Sequence, residues 1–179
     1  MRRHTLICIA LVIAGAVAAA SAQTAANPVT SATRTSWDGV RKNIKESAEL
    51  MPEANYAFKP TPEVRSFGAI LAHLAGANYV FCAAAKGEKA PHAEDEFEKS
   101  ATTRAAIIAA LNGSLTYCDA VFASTTDKNI GEAVEMPFGM PRSARASALI
   151  MEIGHMNEHY GNLVTYYRLK GLVPPSSRK

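Results

Sequence analysis

Two histidines, His155 and His159, stand four residues apart in "HMNEHYGN", with Glu158 directly before the second. On a helix both imidazoles share one face about 6 Å apart, close enough to hold one ion at about 2.1 Å. Stepping along Ala148, Glu152, His155, His159, Leu163 and Tyr166 gives intervals of four, three, four, four and three. These residues form one stripe, flanked by Leu149 and Met156, so it turns toward an apolar core rather than water. One helix supplies two such ligands comfortably, and a third has to come from a neighbouring element. His73 is the candidate: it borders the apolar stripe of an earlier helix, beside Leu74 and one turn from Ile70 and Ala77. His92, in the charged segment "KAPHAEDE", is a poor choice. Three neutral imidazoles leave a tetrahedral ion one open position, the arrangement of a catalytic rather than a structural site, with the ion as Lewis acid. The alternative is three core histidines satisfied by hydrogen bonds, with no ion.

Two glutamates accompany the pair. His155-Met-Asn-Glu158-His159 formally fits H-x-x-E-H, the pattern of one class of zinc peptidases in which the glutamate is general base. That reading needs a further acidic ligand downstream, and the twenty residues after His159 contain no Asp or Glu. Glu158 also lies about 100° round the helix from His159, so it is expected to face solvent. Glu152, one turn before His155 on the inward stripe, could orient a ligand imidazole by accepting its second N–H, or serve as fourth ligand or base. It could equally be a partly exposed carboxylate at the end of the bundle.

Four helices are expected to position these groups. In the first, Trp37, Val40, Ile44, Ala48 and Met51 recur at helical spacing and end before Pro52. The second follows "KPTPEVRS", with Phe67, Ile70, Leu74, Ala77 and Phe81 as its stripe and Gly87 as its stop. The third carries Arg104, Ile107, Ile108, Leu111, Leu115, Cys118 and Phe122. Residues 124–142 hold two prolines and two glycines and read as a long connection. The fourth starts near Ser143, expected as its N-cap, and runs to about Lys170 before Gly171 and Pro174-Pro175. Strand-like alternation is absent, and helices with one apolar face each are most simply buried as an all-α four-helix bundle.

The chain has 179 residues, enough for one domain behind a targeting segment. Residues 1–22 read as a signal peptide: basic Arg2 and Arg3, an apolar run from Leu6 to Ala20, and Ala20-Ser21-Ala22 before Gln23. Residues 23–33 read as a flexible lead-in, 34–175 as the bundle and 176–179 as a tail. Cleavage would leave an exported, periplasmic or extracellular protein without stable membrane insertion. The formal charge would fall from +3 to +1, because residues 1–22 carry two arginines and no acid. No basic stripe or basic-aromatic interleaving points to nucleic acid. Cys82 and Cys118 remain after cleavage, which permits one disulfide or two buried thiols.

The segments "FGAILAHLAGANYVFC" and "HMNEHYGNLVTYYRLKGLVPP" resemble the two signature segments of the DinB/YfiT-like superfamily. The resemblance implies a four-helix bundle whose second and fourth helices supply a three-histidine divalent-metal site. By position the implied ligands are His73, His155 and His159, the set reached from the stripe. It also brings in Tyr160, Asn162, Tyr166 and Arg168, of which Tyr166 is best placed to line a pocket. The family's second and third helices run parallel through a crossover, here about residues 88–98. That order would bring Cys82 and Cys118 to one level, so the resemblance implies a Cys82–Cys118 disulfide.

The resulting expectation is one divalent ion, zinc or nickel first and iron or copper after them, with a small-molecule substrate of unknown identity. Hydrolysis or group transfer is the expected chemistry, and a non-catalytic metal- or ligand-binding bundle is the alternative. Some family members use a low-molecular-weight thiol, which export would disfavour because such thiols belong to reducing compartments. Family members often dimerise, so a homodimer is among the implied assemblies.

Overall fold

The computed structural model describes residues 27–178. The signal-peptide assignment to residues 1–22 therefore lies outside the described residues, as do residues 23–26. Helix α1 (Pro28–Leu50) begins earlier than the sequence suggests, so residues 28–33 are helical and not part of a flexible lead-in. Two features explain the early start. Pro28 occupies the first turn, where its missing N–H costs nothing, and Asp127 from a distant loop caps the helix. The Asp127 carboxylate accepts from the Val29 N–H at 3.0 Å and the Thr30 N–H at 2.8 Å.

Helix α2 (Phe67–Lys86) starts at Ser66, whose hydroxyl accepts from the Ala69 N–H at 3.2 Å, and stops at Gly87 with φ 80°. Residue spacing predicts one apolar stripe on α2, but the helix is buried nearly all round. Its additional cover is the crossover that follows, which contains the short helix α3 (Glu96–Ser100). At Gly76 a Cβ would lie 1.9 Å from the Glu94 carbonyl oxygen, so the crossover backbone rests directly on this helix.

Helix α4 (Arg104–Ser124) is capped by the Thr103 hydroxyl and runs parallel to α2. Gly68 faces Ile107, Asn78 bonds Ser114, and Cys82 is joined to Cys118 by a disulfide with Cα atoms 5.4 Å apart. The connection after α4 contains a two-residue antiparallel ladder, β1 (Ala133–Val134) with β2 (Ser143–Ala144). Ser143 is therefore not the N-cap of the last helix, α5 (Arg145–Leu169). It pairs with Val134, and its hydroxyl meets the Ser147 hydroxyl at 2.8 Å. Loop carbonyls close the helix start instead: Glu132 O accepts from the Arg145 N–H and Ile130 O from the Ala146 N–H.

Helix α5 is antiparallel to α2 and parallel to α1. Tyr166 packs on Phe67 at the start of α2, and the Tyr167 hydroxyl donates to Ser47 O near the end of α1. Helix α1 closes the ring antiparallel to α4, with Trp37 stacked on Phe122 at 4.7 Å. The fold is an all-α four-helix bundle in which α1 and α5 point one way and α2 and α4 the other. The shared core is apolar, and Trp37, Phe67, Leu74, Leu115, Met156 and Tyr167 are all but sealed from solvent.

Candidate metal centre

His73 sits about a third of the way along α2, where the helix is enclosed, and His155 and His159 occupy successive turns of the antiparallel α5. The three rings meet. His155 Nε2 lies 3.1 Å from His73 Nε2 and 3.1 Å from His159 Nε2. Nitrogens sharing an ion at about 2.1 Å lie roughly 3.0–3.4 Å apart for angles between square and tetrahedral. A ring nitrogen either donates or accepts, so this trio supports at most one well-formed hydrogen bond among its members. A cation would satisfy all three lone pairs. The donor set fits a divalent metal ion.

Electrostatics favour the same form. Burial first, then repulsion from His159 and His73, pushes the His155 pKa down to about 3. Burial followed by His73 brings His159 down to about 4. His73 is lowered as well, by burial and then by Arg65, with Glu98 and Glu94 pulling the other way. All three rings are thus neutral at pH 7, as ligation requires.

If Nε2 holds a metal, each Nδ1 carries a proton and needs an acceptor. His73 Nδ1 lies 3.2 Å from Glu98 Oε1 and 3.7 Å from Glu94 Oε1, near but not aligned as a hydrogen bond. Glu98 instead receives Arg65 on both oxygens, at 2.9 and 3.2 Å. The Arg65 carbonyl in turn accepts from the Tyr166 hydroxyl at 2.6 Å. The Asn162 amide stands 3.5 Å from His159 Nδ1. His155 Nδ1 is buried without a partner, and the Phe81 ring lies 5.5 Å from the imidazole. Beside His159 opens a cavity of about 560 Å³, walled by Arg65, Ile70, Asn162 and Tyr166 among others.

The two glutamates part company. Glu158 is exposed, as its angular position implied. Glu152 is 0% exposed, which removes the reading of a carboxylate at the open bundle end. Its Oε1 accepts from the Asn78 amide nitrogen at 2.7 Å, in the orientation where that nitrogen also donates to Leu74 O and the Asn78 oxygen accepts from Ser114. Oε2 has no partner among the described residues, and no imidazole bonds this carboxyl. Burial raises its pKa to about 8. A carboxyl oxygen of Glu152 lies within 4.8 Å of the sulfurs of Cys82 and Cys118, so Glu152 belongs to the core behind the histidines.

Sequence reasoning missed Glu98, Arg65 and Asn78. Arg65 and Glu98 lie 33 residues apart, the first in an irregular segment and the second in the five-residue α3, too short for periodicity to orient it. The available signal was chemical: an acidic crossover, "HAEDEFEK", that must pass over a helix carrying a buried histidine. His92, set aside as a ligand, bonds Glu96 at 2.8 Å and packs against Tyr79 with the two rings tilted.

The fold and site together define a four-helix bundle with a three-histidine centre between two antiparallel helices. The family model for the DinB superfamily matches residues 36–163, and the chain belongs to that family. Among solved structures it is similar to a DinB-like protein from Bacillus cereus: TM-score 0.64 and 18% identity over 81% of this chain and 95% of that one. A Bacillus subtilis DinB-like protein matches with TM-score 0.63 and 16% identity over 83% and 99% of the two chains. A mycothiol-dependent maleylpyruvate isomerase matches with TM-score 0.62 and 17% identity over 75% of this chain. The match covers 60% of the isomerase's own length. No curated protein sequence matches the chain.

Proposed function

We propose that this protein is an exported member of the DinB superfamily that holds one divalent cation, zinc or nickel by preference, on His73, His155 and His159. It acts on a small molecule in the adjoining cavity, by hydrolysis or group transfer. The observation that carries this reading is the convergence of three neutral Nε2 atoms, 3.1 Å apart about His155, beside a cavity of about 560 Å³. A bound ion supplies Lewis acidity at that point. The chain's own residues supply the rest. Burial keeps the imidazoles unprotonated, and Phe81 shields the His155 ring. Arg65, Asn162 and Tyr166 offer polar groups along the cavity wall.

The mycothiol-dependent neighbour makes thiol-dependent group transfer one branch of this chemistry. The N-terminal sequence argues for export, away from the reducing compartment where such thiols accumulate, and so weighs toward hydrolysis. A second reading, a non-catalytic binder, draws on Glu152. This one buried carboxyl among the described residues is bonded to Asn78 and lies off the cavity. Elemental analysis of the purified protein is the test: about one divalent ion per chain, lost in His155→Ala, supports the metal reading. Absence of stoichiometric metal after reloading with zinc or nickel would sink it. Ester, amide and thiol-transfer substrates, assayed with and without chelator, separate enzyme from binder.

A further inference from the structure

Among the described residues one cation lines the cavity beside His159, and its chemistry narrows what can enter. Arg65 lines the cavity together with the apolar Pro60, Val64 and Ile70. A guanidinium has five N–H donors, and Glu98 occupies two of them, on Nε and Nη2. The remaining three have no partner among the described residues, and the side chain is 44% exposed. Glu98 lines the neighbouring cleft and not this one, so the two faces of the ion pair serve different spaces. The Arg65 main chain is pinned by the Tyr166 hydroxyl and precedes the cap residue of α2, which gives the guanidinium a fixed base. One acid shares the wall. Glu63 sits at the solvent edge, where local hydrogen bonds from its own backbone N–H and from Thr61 hold its carboxyl ionised.

We infer that this cavity is a subsite for a small organic carboxylate. The Arg65 fork grips the carboxylate, the aliphatic wall packs the carbon body, and the opposite end faces His159, the one histidine of the three that lines the cavity. The inference rests on the proposed function for what happens at that far end, but the grip itself does not require a metal. An already paired guanidinium suits the task, because Glu98 fixes its plane before the ligand arrives and a planar fork matches a carboxylate bidentately. The apolar wall distinguishes an organic acid from an inorganic anion.

The test is calorimetric titration of metal-free and zinc-loaded full-length protein with benzoate, benzamide and inorganic phosphate. Benzoate is expected to bind about tenfold or more tightly than benzamide in both forms. Arg65→Gln is expected to erase that preference, and Arg65→Lys to retain part of it. Thermal melts establish that each variant is folded. A benzoate preference that survives in folded Arg65→Gln would overturn the subsite, as would phosphate binding as well as benzoate. If the protein takes no zinc yet discriminates benzoate through Arg65, the metal reading fails and the subsite stands. If it takes zinc and Arg65 is indifferent, the reverse holds.

Discussion

His73 Nε2 on α2 and His155 Nε2 on α5 lie 3.1 Å apart although 82 residues separate them in the chain. The separation is set by the antiparallel packing of two helices whose apolar faces share the core, so the contact reports the bundle itself. Anything that displaces α2 against α5 displaces this pair.

Metal should therefore stabilise the fold and depend on both helices. A ligand present at 100 times its Kd stabilises by about 2.7 kcal/mol. A thermal melt with excess zinc or nickel should show that gain in the native sequence, with none in His73→Ala or His159→Ala. An equal gain in the variants would mean that the ion binds elsewhere.

Glu98 is a positioning residue in this scheme. It stands 3.2 Å from His73 Nδ1, where a metal-bound ring would carry its proton. Replacing such an outer partner typically costs 10–100-fold in metal affinity. Glu98→Ala should fall in that range by chelator competition, with Glu98→Gln between it and the native protein. Affinity unchanged in Glu98→Ala would place the carboxylate outside the site.

Acid and alkali should act on different groups. The buried histidines have folded pKa values below the ordinary value near 6.5, so the unfolded chain binds more protons in mild acid. Metal-free protein should lose stability as pH falls from about 6.5 toward 4. Glu152 has the opposite sign. Its folded pKa is raised to about 8, so its contribution is complete below about pH 4.5 and disappears as pH rises through 8. Glu152→Gln should flatten that alkaline limb, gaining roughly 1–3 kcal/mol over the native protein at pH 8. Parallel urea melts of the two proteins from pH 5 to 9 check it. Identical slopes would show that the carboxyl is not held neutral.

Gly76 tests the crossover. An added Cβ would meet the Glu94 carbonyl oxygen at 1.9 Å and its carbon at 2.6 Å, both backbone atoms. Gly76→Ala should destabilise by about 1–3 kcal/mol or more. It should also weaken metal binding, because the displaced segment carries Glu98. Gly154, with nothing near its Cβ position, provides the control.

The disulfide spans 36 residues between parallel helices. Replacing both cysteines with serine should cost about 3–4 kcal/mol by loop-closure entropy. Denatured, unreduced protein should show no free thiol at these two positions. Two thiols there would mean that the bridge is absent in solution.

The early start of α1 shows where sequence reading falls short. Residues 28–33 are small and polar, and what makes them helical is Asp127, about a hundred positions away in the chain. Ser143 fails as a cap for a related reason: carbonyls of the preceding loop already receive the first amides of α5. Both errors sit at element ends, where local propensity competes with distant hydrogen-bond partners. The ends of α2 came out right because Ser66 and Gly87 act on their own neighbours.

Within each helix, spacing by itself determined which side chains share a face, since 3.6 residues per turn is a local property of the backbone. That was sufficient to align His155 with His159, to turn Glu158 outward, and to mark His73 as a histidine bordering a core. Distances between elements are another matter. The meeting of His73 with the α5 pair, the enclosure of Glu152 beside Asn78, and the Arg65–Glu98 pair at the cavity edge depend on how helices rotate and how the crossover lies. Packing of many side chains at once settles those quantities, and only the tertiary structure decided them.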